Sequence, residues 1–282
     1  MCSPQVARVV RERIEREGRP QVSRRNFLKL GGLTAAGLAV ASVGLPPRRA
    51  AAHEMAEVVD LSHIFSVNPP TYTLGQVPTR KDQVTVAANG FYIQEWTFPE
   101  HTGTHMDIPA HFIADGETVD NYPAAALVSP VIVVDISKKA ETDDDAMLEV
   151  ADLEAWEAAN GEIPAGAVVA MYSGWESRWA EPDKFRNADA DGVQHYPGFS
   201  GEAAKFLVEE RDIHGIAVDT LSLDIGASTT FDVHYTILGA GKYGLENIAN
   251  LSMLIGKAAT MVVGVPRWEK GSGGPCRVLA MV

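Results

Sequence analysis

The chain has 282 residues, 46% of them hydrophobic and 22% charged, which is the profile of a folded globular protein rather than a disordered one. Its formal net charge of −13 argues against a nucleic-acid or anionic-membrane partner, since both are held by Lys and Arg neutralising phosphate. Residues 1–52 contain ten of the 24 basic and three of the 37 acidic residues, so the remainder carries a net charge near −20.

The first fifty residues read as an export signal. Ser23-Arg24-Arg25-Asn26-Phe27-Leu28-Lys29 is a twin-arginine pattern, and a Gly/Ala/Leu/Val run follows from Leu30 to Leu45. Ala50-Ala51-Ala52 then offers an A-x-A cleavage site before His53. The apolar run is shorter than the ~20 residues of a membrane span and is Gly/Ala-rich, so cleavage near Ala52 is expected rather than a stable membrane anchor. The expected partner of this segment is the twin-arginine export machinery, and the expected location is periplasmic. Cleavage removes Cys2 and leaves Cys276 alone, so no intramolecular disulfide staples the exported part, which must be held by its core.

Residues 53–282 suit one domain. Short β-branched segments bounded by Gly, Pro or Ser predict strands over 57–63, 91–100, 129–137, 166–174, 214–222, 260–268 and 277–282. A helix is predicted from Asp152 as N-cap through "DLEAWEAAN", a second from Ser200 through "SGEAAKFLVEERD", and a third through "VHYTILGAG". Strands outnumber helices and not every strand is followed by one. A mixed α/β layer architecture is therefore expected rather than a Rossmann-type sheet.

The segment "HTGTHMDIPAHF", residues 101–112, carries three of the eight histidines and an aspartate. A metalloprotease helix needs Glu after the first His, but Thr102 stands there, and Gly103 and Pro109 oppose a helix. In extended form His101, His105, Asp107 and His111 share one face. A straight strand would hold His101 and His105 ~13 Å apart, too wide for one ion with ligands at ~2 Å. The chain must therefore curl, and Gly103 is the residue that permits it. Two imidazoles and a carboxylate with open positions fit a catalytic metal site better than a closed structural one. Further ligands are sought in residues 219–251, where His234 opens a predicted helix and Glu246 follows a Gly-rich turn. Singly, His234 reads equally well as a capping histidine and as a ligand, and Glu246 equally well as an exposed residue and as a ligand.

These features resemble one family, the cyclase-like metal hydrolases that include bacterial kynurenine formamidase and isatin hydrolase. The resemblance rests on "DLSH" (60–63), "HTGTHMDIPAHF" (101–112), "YPGFS" (196–200), "AVDTLSLD" (217–224), and His234 followed twelve residues later by Glu246. It implies a mixed α/β fold with a β-rich, barrel-like core flanked by helices, and assembly into a homodimer or homotetramer. It further implies His101, His105 and Asp107 as ligands of a first metal, with Asp107 bridging to a second held by His234 and Glu246. His111 is implied as the acid/base residue, and its ordinary pKa near neutrality suits a proton donor to a leaving nitrogen.

The expected cofactor is one or two divalent ions, zinc or manganese, since no thiolate favours zinc. The expected reaction is cleavage of an amide C–N bond in a formamide or cyclic amide by water that the ion acidifies. The alternatives are a C–O hydrolase or lactonase and a non-catalytic periplasmic metal-binding protein. Trp96 and Trp175 are candidate substrate contacts for a flat aromatic small molecule, against the default of core packing. Asp219, Ser222 and Asp224 read equally as orienting residues and as a satisfied strand end, and stay outside the ligand set.

Overall fold

The structure, a computed structural model, describes residues 57–282; the predicted signal segment, residues 1–52, lies outside them. Thirteen strands occur among the described residues: β1 (Val58–Asp60), β2 (Thr79–Val84), β3 (Ile93–Thr97), β4 (His105–Asp107), β5 (Val128–Asp135), β6 (Met147–Leu148), β7 (Val168–Tyr172), β8 (Gly198–Phe199), β9 (Gly215–Val218), β10 (Tyr243–Glu246), β11 (Ala259–Gly264), β12 (Gly273–Pro275) and β13 (Arg277–Met281). Nine of them form one mixed sheet in the order β1-β13-β11-β5-β7-β9-β10-β4-β12. It curls into a half-barrel with two free edges, the β-rich, barrel-like core that the family resemblance implies.

The central strands β5, β7, β9 and β10 run parallel, and the strands beyond them pair antiparallel. β5, β7 and β9 are near-continuous apolar runs because both sheet faces are covered. Alternate residues divide between two cores. Val131, Val133, Val168 and Ala170 join Met106, Leu245, Met261 and Val278 on one face. Ile132, Val134, Val169 and Met171 face the other way, against Leu153, Leu207 and Ile237 from three helices.

Those helices span Val150–Asn160, Gly201–Glu209 and Asp232–Gly239. Ser200 caps the second as expected, its side chain accepting from the Ala203 amide. The first starts earlier than the sequence suggested. Glu149 is the N-cap and Asp152 sits at the third helical position, each side chain accepting from the other's backbone in a capping box. Gly198 in "YPGFS" permits a close approach: a Cβ there would stand 2.3 Å from the Asp224 carbonyl carbon.

Residues Arg80–Trp96 form a compact unit of their own, distinct from the unit that carries the nine-stranded sheet. In it β2 and β3 pair as a two-stranded sheet, joined through a short helix, Val86–Asn89. The predicted strand over 91–100 is β3. Among the described residues, no helix is long and apolar enough to cross a membrane.

Candidate metal centre and cavity

β4 carries the heart of the site and is paired on both sides. Its register with β10 sets Glu246 directly opposite His105 and Gly244 opposite Asp107. Side chains alternate along β4, so His105, Asp107 and Glu246 share one face. Gly103 makes the expected bend at φ +68°, bringing the His101 and His105 rings to a centroid separation of 5.3 Å. His111 comes from the short 3-10 turn Pro109–His111 that follows β4. His234 comes from the first turn of its helix.

The four inner side chains are 1–5% exposed. His105 donates from Nδ1 to the Gly103 carbonyl at 2.8 Å, which turns its Nε2 lone pair inward. That Nε2 lies 3.3 Å from Asp107 Oδ1 and 3.3 Å from Glu246 Oε2. His234 is set the same way. Its Nδ1 donates to Asp224 Oδ2 at 2.6 Å, and its Nε2 faces Asp107 Oδ2 at 3.4 Å and Glu246 Oε1 at 3.3 Å. Asp224 also accepts from the Val233 and His234 amides, so one carboxylate both caps the helix and fixes the ring. The Leu223 amide donates to Glu246 Oε1.

With Nδ1–H committed, each neutral ring presents a lone pair to carboxylate lone pairs. The centre is repulsive unless a cation lies among them. Separations of 3.3–3.4 Å match the about 3.4 Å between two ligands bound at about 2.1 Å to one tetrahedral ion. His105 Nε2 and Asp107 Oδ2 are buried without a hydrogen-bond partner. The donor set therefore fits a divalent ion. Proton affinity reflects the same demand. Burial alone would lower His105, but Asp107 and Glu246 outweigh it and hold the ring up at about 10. Burial likewise opposes a charged His234, and Asp107, Asp224 and Glu246 raise it well above its ordinary value. Burial would raise Asp107, and His101 and His105 hold it well below the usual carboxylate range.

His101 approaches from the rim. Its Nδ1 lies 2.6 Å from Asp107 Oδ1 and its Nε2 2.9 Å from Ser272 Oγ. Ser272 Oγ in turn donates to Glu100, and the short Nδ1 contact is a hydrogen bond that the imidazole donates to the Asp107 carboxylate. His111 stacks on His101 at 3.7 Å, and its ligand atom lies within 4.8 Å of those of His101 and Asp107. Burial, only partly opposed by Asp107, pushes His111 down to about 4. This departs from the ordinary near-neutral pKa expected of the residue type. In the folded chain it is neutral at pH 7 and must take up a proton before it can donate one.

The centre opens into a cavity of about 330 Å³ bordered by Tyr72, Phe112, Phe231, Leu221, Thr102 and Asn247. Phe112 stacks on the His234 ring at 4.5 Å. Trp175, one of the two predicted substrate contacts, does not border the cavity. Trp175 is 1% exposed, donates from Nε1 to the Phe185 carbonyl, and packs with Phe185 and Tyr196 in a separate cluster. Trp96 belongs to the Arg80–Trp96 unit, where its ring lies under Arg80. Asp219 accepts from the Ser173 amide and hydroxyl and from the Trp175 amide, while Ser222 borders the cavity.

The Cyclase family model, described as "Putative cyclase", matches residues 59–225. The chain belongs to the Cyclase family. Within it, the chain is 32% identical to an isatin hydrolase of Roseibium aggregatum over 80% of its own length and 92% of that protein. It is 26% identical to a kynurenine formamidase of Delftia acidovorans over 54% of its length and 62% of that enzyme. Among solved structures it superposes on isatin hydrolase A from Ralstonia solanacearum with a TM-score of 0.76, at 35% identity, covering 80% of this chain and 92% of that one. An isatin hydrolase bound to the product analogue thioisatinate gives 0.77 at 28% identity, with 93% and 99% covered. This Cyclase-family chain is thus an enzyme of the amidohydrolase kind, which displaces a non-catalytic binding protein.

Proposed function

We propose that the protein is an exported, divalent-metal-dependent hydrolase that opens the C–N bond of a cyclic aromatic amide of the isatin type. The carrying observation is the convergence of His105 Nε2, Asp107, His234 Nε2 and Glu246 beside a cavity that also holds His111. His105, Asp107, His234 and Glu246 would hold the ion, with His101 on Asp107 Oδ1, the oxygen that also faces His105. The nitrogen/oxygen donors admit zinc or manganese. The two oxygens of Asp107 face different donors, which supports one or two ions per chain. When bound, the ion acidifies a water and polarises the amide carbonyl.

The chain's own residues supply the rest. Neutral His111 takes the proton from the attacking water and returns it to the amide nitrogen as the C–N bond breaks, because an amide anion is too poor a leaving group to depart unprotonated. Phe112 and Phe231 give a flat substrate an apolar seat and displace water from it. Products of a cyclic substrate stay joined as one amino acid.

Export rests on the twin-arginine pattern at Ser23–Lys29, and a homodimer or homotetramer rests on the family resemblance. A relative, isatin hydrolase A from Labrenzia aggregata, was solved with the ester benzyl benzoate bound, so C–O cleavage is the second reading. The test is a matched panel of isatin, an N-formyl anilide and an aromatic lactone on the zinc- and manganese-loaded chain. Preference for isatin by tenfold or more in kcat/KM supports the first reading. Preference for the lactone replaces it with the second.

A further inference from the structure

Phe231 has φ +54° and ψ +41°, a left-handed conformation. The other described non-glycine residues with positive φ are Asp115, Asn187, Asn247, Asn250 and Lys270. Asp and Asn tolerate that region through local hydrogen bonds, whereas a bulky aromatic residue gains nothing there. The backbone at this point is fixed from both sides. The Phe231 amide donates to Ser228 Oγ, and its carbonyl accepts the first helical hydrogen bond from Tyr235. The next amides, Val233 and His234, are held by Asp224. Glycine or asparagine would meet these demands without strain, so the backbone alone does not call for phenylalanine.

The ring has a place of its own. It borders the cavity, with its centroid 5.6 Å from Phe112, 6.3 Å from Tyr72 and 5.9 Å from the His234 ring. Strain kept at a cavity wall marks a side chain required for what enters the cavity.

We propose that Phe231 is a specificity-determining residue: with Phe112 and Tyr72 it forms an aromatic wall that selects a substrate bearing a flat ring beside its reacting carbonyl over an aliphatic one. The proposal deepens the amide-hydrolase reading and rests on the same cavity. Its test compares Phe231→Gly with Phe231→Ala in the full, zinc-loaded chain. Two 2-oxo acids serve as calorimetric probes, phenylglyoxylate with a ring and pyruvate without one.

Both variants are expected to lose about tenfold in affinity for phenylglyoxylate and to bind pyruvate as the parent does. Phe231→Gly is expected to melt about 2–4 °C above Phe231→Ala, since only alanine keeps the backbone strain. Equal loss on both probes, no loss on phenylglyoxylate, a parent that does not bind phenylglyoxylate, or equal melting of the two variants would overturn the proposal. Isatin turnover by the parent is measured separately. Its absence removes the amide-hydrolase reading, while ring selection is still judged by the two probes.

Discussion

Replacing Asp224 by Asn tests how the centre is tuned from outside the ligand set. The carboxylate serves three donors: the Val233 amide at 2.9 Å on one oxygen, and the His234 amide at 3.2 Å and His234 Nδ1 at 2.6 Å on the other. Asn keeps one acceptor. Keeping it on His234 turns the new NH2 against the Val233 amide, which loses the shorter backbone bond. Keeping it on Val233 forfeits the longer backbone bond and the Nδ1–H donation. It frees the ring proton for Nε2, however, where two carboxylates accept it, so this arrangement is favoured in the ion-free chain. The NH2 then donates to His234 Nδ1, which moves the ring proton to Nε2, the atom that faces Asp107 and Glu246. Without an ion that proton is welcome, and the fold loses about 1–2 kcal/mol for one charge-assisted bond. With an ion it occupies the ligating lone pair. Metal affinity should fall 10–100-fold, or about 1.4–2.8 kcal/mol. Calorimetric zinc titration with melting of the stripped protein separates the two effects, and nitrogen NMR of His234 reports the tautomer. Parental zinc affinity in Asp224→Asn, or an Nδ1-protonated His234, would refute the reasoning.

The remaining predictions concern the same cluster. His105 in the ion-free fold titrates at about 10 against 6.5 when unfolded, so its contribution to ion-free stability is full below pH 6.5 and lost as pH rises toward 10; melting of the stripped protein checks this. Ion binding must displace that proton, so apparent zinc affinity should weaken as pH falls, with proton release seen as a buffer-dependent heat. His111→Ala should retain the ion while kcat drops about 10²–10⁴-fold, measured on isatin; loss of the ion or an undiminished rate contradicts its role. Gly103→Ala puts a Cβ at φ +68° and 3.0 Å from the Phe65 ring, so the melt should show a loss of about 1–2 kcal/mol, together with weaker ion binding as His101 and His105 separate.

Much of the centre was legible because its residues lie close in sequence. Strand geometry accounts for His105 and Asp107 on one face of β4 and for the need of a bend at Gly103. His101 lies before that bend and His111 on a 3-10 turn, so the extended face expected over 101–111 is limited to β4. Glu246 stood out only as a candidate beyond a Gly-rich turn and was implied as a ligand only by the family spacing, since its meeting with His105 is made by the register of β10 on β4. Those strands are three and four residues long, and β12 begins with two glycines, so hydrophobic pattern gave them no signal. Asp224 was visible as a residue, but its double task depends on a helix that begins eight positions away, at Asp232. Trp175 follows the default of core packing: it is buried with Phe185 and Tyr196, and its indole N–H is spent on the Phe185 carbonyl. The aromatic residues that do border the cavity, Tyr72, Phe112 and Phe231, come from three separated segments. Of these, only Phe112, next to His111, was within reach of the motif.

The central claim is that these ligands make amide cleavage depend on a divalent ion. The most direct measurement is isatin hydrolysis by the full chain stripped with a chelator, confirmed folded by circular dichroism, then reloaded stepwise with zinc or manganese. The account predicts a rate below about 1% of the parent when stripped, since losing the ion's charge stabilisation costs several kcal/mol, and recovery in proportion to bound ion. An undiminished rate in the stripped protein, or stoichiometric ion binding without any isatin hydrolysis, would contradict it.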